Sequence, residues 1–526
     1  MKRKFLRKKI ILSVAIAAAL VLATLVSLLY FSNRIIKAEL EKALGKDSRI
    51  ERLSLGWNRV EARGVDVSKG GQTFFRARRV EVRASFFTLF GRRYSISRLT
   101  VEHLSLILRL DEKGDVINPM SAGQVGPSQE ELMGLKRAID LGHLVISDGA
   151  VTISDERPGG PATAELTGIE AKIDNFALPV ENSATRVSLR MAVKGKLMSA
   201  AVTAEGSFNP ATRSGRLAIG LSNVEGLADA EGPRAKAESV RFTASSQGRE
   251  GTGQNVLLSD VTLTKPFIRI RENRAGYLVS PLPPRPKKGA IEEKTAFSLT
   301  FNKVAASGGE ALFLDAEVSR PPYATRFTDT SWTADRFFFP LVDAWTAWGL
   351  STTIRGKDSV GRIGGAGRTN FHTLETTGRL TLRGLDIFLL KPYLKKEGQA
   401  EVVGGTLDMD MDLTIRGRTI HAPTHVVIRN LQLAPGRGAG GKLLGVPRSL
   451  VVKLLQTSNN SIPLDFVVEG NVDNPLFKLR ESFVRGLTFA VSRKLGLGVV
   501  EAGEGVVTKG ERALRGLGKD IRGIFK

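Results

Sequence analysis

Residues 99–114 read LTVEHLSLILRLDEKG. Leu104, Leu106, Leu108 and Leu110 recur at every second position, with Ser105, Ile107 and Arg109 between them, and the run closes on a charged turn ending in Gly114. A period of two puts alternate side chains on opposite faces of a strand, whereas a helix would need a period of 3.6. Residues 405–415, GTLDMDMDLTI, repeat the pattern: Leu407, Met409, Met411, Leu413 and Ile415 share one face, and Asp408, Asp410, Asp412 and Thr414 the other. Such alternation marks half-buried antiparallel strands. Further strand patterns lie at 60–67, 78–84, 150–155, 186–193, 200–208, 216–222, 238–245, 258–270, 296–305, 378–389, 424–433 and 464–472, punctuated by turn signals such as Asn209-Pro210.

Helical patterns are few: 33–44, 129–140, 340–348, 448–456 and the C-terminal stretch. Residues 280–289, SPLPPRPKKG, read as an extended Pro-rich linker. The chain also repeats itself. GAVTISD (149–155) matches GEALFLD (309–315), and each is followed by a strand ending in proline, at Pro179 and Pro340; a weaker third ending is Pro435. LTVEHLSLILRLDEKG has its counterpart in VTLTKPFIRIRENRAG (261–276), about 160 residues later. Repetition of one β unit predicts a quasi-linear stack of strands. Many apolar strand faces then have few helices to cover them. A second sheet, a sheet curled on itself, or a bound apolar ligand would each solve this, and the sequence leaves the three open.

Residues 10–31, IILSVAIAAALVLATLVSLLYF, form an uncharged apolar run behind Lys2, Arg3, Lys4, Arg7, Lys8 and Lys9. At about 1.5 Å per residue it spans a hydrocarbon core of roughly 30 Å. The basic flank keeps the N-terminus in the cytoplasm and sends the rest across the membrane. The run exceeds the usual core of a cleaved signal peptide, and its small-residue sites lie inside it, so an uncleaved single-pass anchor is expected.

The chain has no cysteine, which excludes disulfides, thiolate metal sites and a cysteine nucleophile. Its net charge of +24 is spread thinly. On the far side of a membrane this favours anionic lipid headgroups over nucleic acid. Candidate catalytic and metal motifs are weak. Asp408, Asp410 and Asp412 mimic the start of a calcium loop, but Leu413 and Thr419 stand where that loop needs Gly and Glu. GRGAGGK (436–442) has a phosphate-loop spacing but is followed by Leu443 instead of Ser or Thr. His421 and His425 have the four-residue spacing of helical zinc ligands, with Pro423 and strand-like flanks arguing against a helix. No catalytic residue, cofactor or metal is assigned, and the chain reads as a non-enzyme. In the tail, Leu514, Leu517, Ile521 and Phe525 fall at helical spacing among Lys509, Arg512, Arg515, Lys519 and Arg522. This basic amphipathic helix would lie on an anionic membrane or cap the end of the β structure.

Four features together resemble the AsmA-like family of bacterial envelope proteins: the basic tip with its anchor, the module from Val80 to Gly114, its recurrence from Leu258 to Gly276, and LVVKLLQTSNNSIPLDFVVEGNVDNPLFKL at 450–479. The resemblance implies a repeating β-groove fold in the periplasm, anchored in the bacterial inner membrane, that moves phospholipid toward the outer membrane or keeps that membrane ordered. It brings no catalytic residues. The expected fold is mainly β: an N-terminal transmembrane helix, an extended curled antiparallel sheet, few short helices and an amphipathic C-terminal helix. The expected layout is a cytoplasmic tip (1–9), the anchor (10–31), a first groove part (32–279), the linker (280–289), a second groove part (290–478) and basic helices (479–526). Leu104, Leu106, Leu108, Leu110, Leu407, Met409, Met411, Leu413 and Ile415 are the groove candidates; a dry core between two sheets is their alternative. The partners would be phospholipid, the inner membrane and other envelope proteins. The rival function is a scaffold of the envelope that carries no lipid.

Overall fold

A computed structural model describes residues 44, 47–56, 58–69, 72–84, 93–110, 116–117, 138–155, 162–178, 180–195, 198–229, 232–247, 254–272, 278–279, 297–316, 318–394, 402–434, 442–443, 446–447 and 459–471. The anchor, the Pro-rich linker, the helical patterns at 33–43 and 448–456, most of the Gly-rich segment and the basic tail lie outside them. Among the described residues no helix is long and apolar enough to cross a membrane. The protein is mainly β. Its chain forms two compact units, residues 1–354 with 363–378, and residues 355–362 with 379–526.

The first unit is a strand ladder. It begins with β1 (Arg49–Leu55), β2 (Arg59–Lys69), β3 (Gln72–Ala84) and β4 (Arg93–Leu110), paired antiparallel in chain order. A two-residue β5 (Val116–Ile117) folds back on the end of β4. Then β6 (Ala138–Asp155) pairs with β4 in parallel. The antiparallel order resumes through β7 (Ala162–Leu178), β8 (Thr185–Gly195), β9 (Met198–Asn209), β10 (Ser214–Asp229), β11 (Gly232–Gln247) and β12 (Gln254–Thr264). β13 (Phe267–Glu272) continues β12 past Pro266 and carries β14 (Leu278–Val279) on its end. β15 (Phe297–Asp315) pairs in parallel with both β12 and β13, and β16 (Tyr323–Phe339) and β17 (Trp345–Arg355) follow antiparallel.

The internal repeat is thus a structural one. β4 to β7 and β12 to β16 make the same excursion: long strand, two-residue return, parallel re-entry, antiparallel partner. Their irregularities coincide as well. The register between β6 and β7 shifts around Gly149, and that between β15 and β16 around Gly309. Left-handed backbone recurs at His103 (φ 51°) and Lys265 (φ 45°), at Asp148 (φ 51°) and Gly308 (φ 63°), and at Gly168 (φ 59°) and Asp329 (φ 50°). Such single residues bend a strand and re-aim its side chains.

Three expectations need correction. The sheet is not uniformly antiparallel, because strands that run the same way need a long crossover connection, and residues 111–137 and 273–296 supply one in each copy. The helix expected over 340–348 is instead a turn followed by β17; the β-branched and aromatic run WTAWGLSTTI suits a pleated surface. Similarly, residues 138–140, expected to end a helix, begin β6.

β18 (Val360–Asn370) and β19 (Thr376–Asp386) each contribute to both units. In the second unit, Asp386 caps a short 3-10 turn, Ile387–Leu390, its carboxylate accepting from the Phe388 N–H at 2.9 Å. β20 (Val402–Arg416), β21 (Thr419–Leu433) and β24 (Ser461–Asn471) pair antiparallel in that order, and β22 (Lys442–Leu443) pairs with β23 (Val446–Pro447).

Candidate functional site

Residues directly opposite in a ladder project to the same face, so the register shows which side chains form a continuous surface. One row of the first unit runs Leu55, Val60, Val82, Leu99, Leu144, Ile173, Val187, Gly206, Leu217, Ala244, Leu258, Phe301 and Phe337. No polar side chain interrupts it from β1 to β16. The adjoining row is Leu53, Ala62, Val80, Val101, Ile146, Ala171, Leu189, Ala204, Ile219 and Phe242. A third, Met191, Val202, Leu221, Val240, Leu263, Ala306, Trp332 and Leu350, continues the face to β17. At about 4.8 Å per strand, the first row extends on the order of 60 Å.

Burial changes along these rows. From β1 to β4 the residues are packed: Val60 is 2% exposed, Val82 1% and Leu99 3%. They belong to one cluster with Leu44, Ile50, Val65, Ile96 and Leu104, and Leu144, Ile146 and Phe176 lie half-buried at its margin. Beyond β6, Ala171 and Ala204 are buried, and Val261, Val304 and Ala334 form a small packed cluster bordered by Phe242, Leu258, Leu263, Phe301 and Trp332, but Ile173, Val187, Leu189, Leu217, Ile219, Val240, Leu258 and Phe301 are only half-buried. Among the described residues of this unit there is no second sheet to cover them. Over β7 to β11 the rows have a footprint on the order of 300 Å², within the range in which an exposed apolar patch is often functional.

The opposite face is polar. Glu61 of β2 and Glu81 of β3 are adjacent and nearly inaccessible. Arg63 Nε lies 2.6 Å and Arg59 Nη2 3.0 Å from the Glu61 carboxylate. Arg83 Nε lies 2.6 Å from Glu81, and Arg79 bridges Glu61, Glu81 and Glu102. The hydrogen bond from Arg63 holds the Glu61 carboxyl below its ordinary value, against the opposing effect of its burial, and the Arg79 charge adds to the lowering. A cleft of about 520 Å³ on this side is lined by Glu51, Arg63, Asp66, Arg76, Arg78 and His103. Its charged wall makes it unsuited to an acyl chain.

The first set of groove candidates falls on the apolar face. Leu104 belongs to the packed cluster. Leu106 is half-buried and stands in a row with Val67, Phe75, Val151, Leu166, Val193 and Ala200. Leu108 is opposite Ile153, and Leu110 is buried opposite Asp155. The second set lies in the other unit. Leu407 stands in a row with Ile428 and, beyond it, Ile462, Met409 with Val426 and Leu464, and Met411 with Thr424 and Phe466; Ile415 pairs with Ile420. Leu407 is buried, and Met409, Met411, Leu413 and Ile415 are half-buried. Ile462 and Leu464 are fully inaccessible, so this end of the second face is a packed core.

Asp408, Asp410 and Asp412 share the polar face of β20 and engage Arg429, Arg383 and Arg379 in turn. The hydrogen bond from Arg379 lowers the Asp412 carboxyl from its ordinary value. His425 Nδ1 is 2.6 Å from Asp465, and His421 Nδ1 3.4 Å from Glu469, each with the residue opposite it on β24. These are cross-strand rungs on an exposed face. Among the described residues no group of three or more His, Asp or Glu is arranged to hold a metal ion. Of the membrane-surface candidates, Lys509, Arg512, Leu514, Arg515, Leu517, Lys519, Ile521, Arg522 and Phe525 all lie outside the described residues.

Sequence reading proposed no face residues between Leu110 and Leu407, although the first unit holds its longest continuous apolar face there. In β8 the signal was present, since Val187, Leu189, Met191 and Val193 alternate. In β9 and β11 the face is built from Ala204, Gly206, Ala237 and Ala244, small residues that carry little pattern. The aromatic end, Phe301, Phe337, Trp332 and Trp348, comes together only through pairing. No family model matches the chain, and no curated protein matches its sequence.

Proposed function

We propose that this is an AsmA-like, membrane-anchored protein of the bacterial envelope that binds and conducts phospholipid through its acyl chains, and so supports the lipid balance of the outer membrane. The observation that carries this reading is the unbroken apolar face from β7 to β16, whose side chains Ile173, Val187, Leu189, Leu217, Ile219 and Val240 are half-exposed over β7 to β11. Acyl chains laid on it would leave water at a gain of about 0.8 kcal/mol per buried CH₂. Side chains along the rows are apolar and, from β7 to β10, aliphatic or absent, so neighbouring positions there bind a chain about equally well and it can slide. Headgroups would remain at the rim, in water. The apolar run at 10–31, behind its basic flank, supports an anchor in the inner membrane with the β region in the periplasm. The tail from Lys509 to Phe525 supports a second contact with an anionic surface. The reading assigns no covalent chemistry.

The rival reading, a scaffold for envelope proteins, places a protein partner on the same face. Mass spectrometry of phospholipid co-purifying with the full chain separates the two. Stoichiometric phospholipid, lost in a folded Val187→Asp, Leu217→Asp double variant, is expected. A folded parent that carries none removes the lipid reading and leaves the scaffold.

A further inference from the structure

The two rows that carry half-exposed side chains from β7 to β11 are closed from β1 to β4. Side-chain type does not explain this, since Val, Leu and Ala occupy both parts. Packing does. Leu44, only 5% exposed, joins the cluster formed by Ile50, Val60, Val65, Val82 and Leu99. The chain there is tied down locally: Ser48 Oγ donates to the Leu44 carbonyl at 2.8 Å and accepts from the Ser68 N–H, at the end of β2, at 3.3 Å. Ser48 itself is buried.

We infer that Leu44 and its Ser48 tether act as a stopper, which confines bound lipid to the face beyond β4 and forces it to load and leave sideways, over the open stretch from β7 to β11. This rests on the lipid reading above and adds where lipid can and cannot lie. An acyl chain reaching β3 or β4 would have to displace Leu44 and open a packed core, whereas one on β8 to β11 displaces only water. Leu99 and Leu217 stand in one row, and Leu189 in the next, so three leucines of one face report on both sides of the boundary.

The test is photo-crosslinking in cells that make the full-length chain in their membranes. A diazirine analogue of leucine, close to the native side chain in size, is placed singly at Leu99, Leu189 or Leu217, and attached phospholipid is read by mass spectrometry. Lipid adducts at 189 and 217, with at least tenfold fewer at 99, are expected. Leu44→Ser and, separately, Ser48→Ala should raise the yield at 99 toward that at 217, with protease resistance of the sheet retained. Equal adducts at all three sites in the parent would overturn the stopper and leave the lipid face standing. So would a site 99 that stays blank in both variants while 189 and 217 remain labelled. Absence of adducts at every site would remove the lipid reading, and the stopper with it.

Discussion

Ile219→Asp discriminates most sharply between a lipid-bearing face and an ordinary core. Ile219 sits in the second apolar row, directly between Ala204 of β9 and Phe242 of β11. Full burial of an isoleucine is worth about 1.5–3 kcal/mol; this side chain is half-buried, so its loss should cost the fold only about 1 kcal/mol. The new carboxylate can reach water across the same open face and stays solvated. A bound acyl chain meets a different situation. Roughly four methylenes span one strand spacing, and each that fails to settle on the face forfeits about 0.8 kcal/mol. The chain must otherwise desolvate the carboxylate, at several kcal/mol. A penalty of about 3 kcal/mol is expected in either case, more than a hundredfold in occupancy. The assay pairs denaturant unfolding of the purified full-length variant with phospholipid counted per chain. A variant that unfolds outright, with a loss of 4 kcal/mol or more, would place Ile219 in a dry core; a variant that keeps its lipid at the parental level would refute the face as the binding surface.

Leu464→Ala, in the inaccessible centre of the second unit's face, should cost about 2–5 kcal/mol in unfolding experiments, in contrast to Leu217→Ala at about 1. Gly206→Ala should destabilise the middle of the ladder by about 2 kcal/mol, because a Cβ there would lie 2.1 Å from the Arg216 carbonyl oxygen, a backbone atom that cannot rotate away; a melting temperature equal to the parent's would count against this register. The Glu61 carboxyl titrates lower in the folded chain than its ordinary 4.5, so its stabilisation is present above that pH and is lost as pH falls through the lowered value; in acid titrations Glu61→Gln should flatten the loss of stability below about pH 4.5. Trp332 stands in the third apolar row, so brominated phospholipid should quench the fluorescence of a variant whose other tryptophans are replaced by phenylalanine. Unchanged emission at saturating lipid would take that end of the face out of the binding surface.

The period-two pattern of residues 99–110 and 405–415 was enough to establish strands, their apolar faces and a mainly β chain, because alternation is a local property of the pleat. The repeat, too, was legible from paired segments about 160 residues apart. Other features were not local. Parallel pairing of β4 with β6 depends on where a long excursion returns, which no periodicity records. β17 and β18 were missed because WTAWGLSTTIR and VGRIGGAGRTN, rich in Gly and Thr, alternate poorly. Above all, Leu99 and Leu217 look alike in sequence, and only tertiary structure separates them. Leu99 lies 3% exposed in the cluster that also holds Leu44, and Leu217 lies half-exposed on the open face. The sequence determined which residues are apolar and which share a face; what stands across from that face is a contact between distant segments, and it decides where a core ends and a binding surface begins.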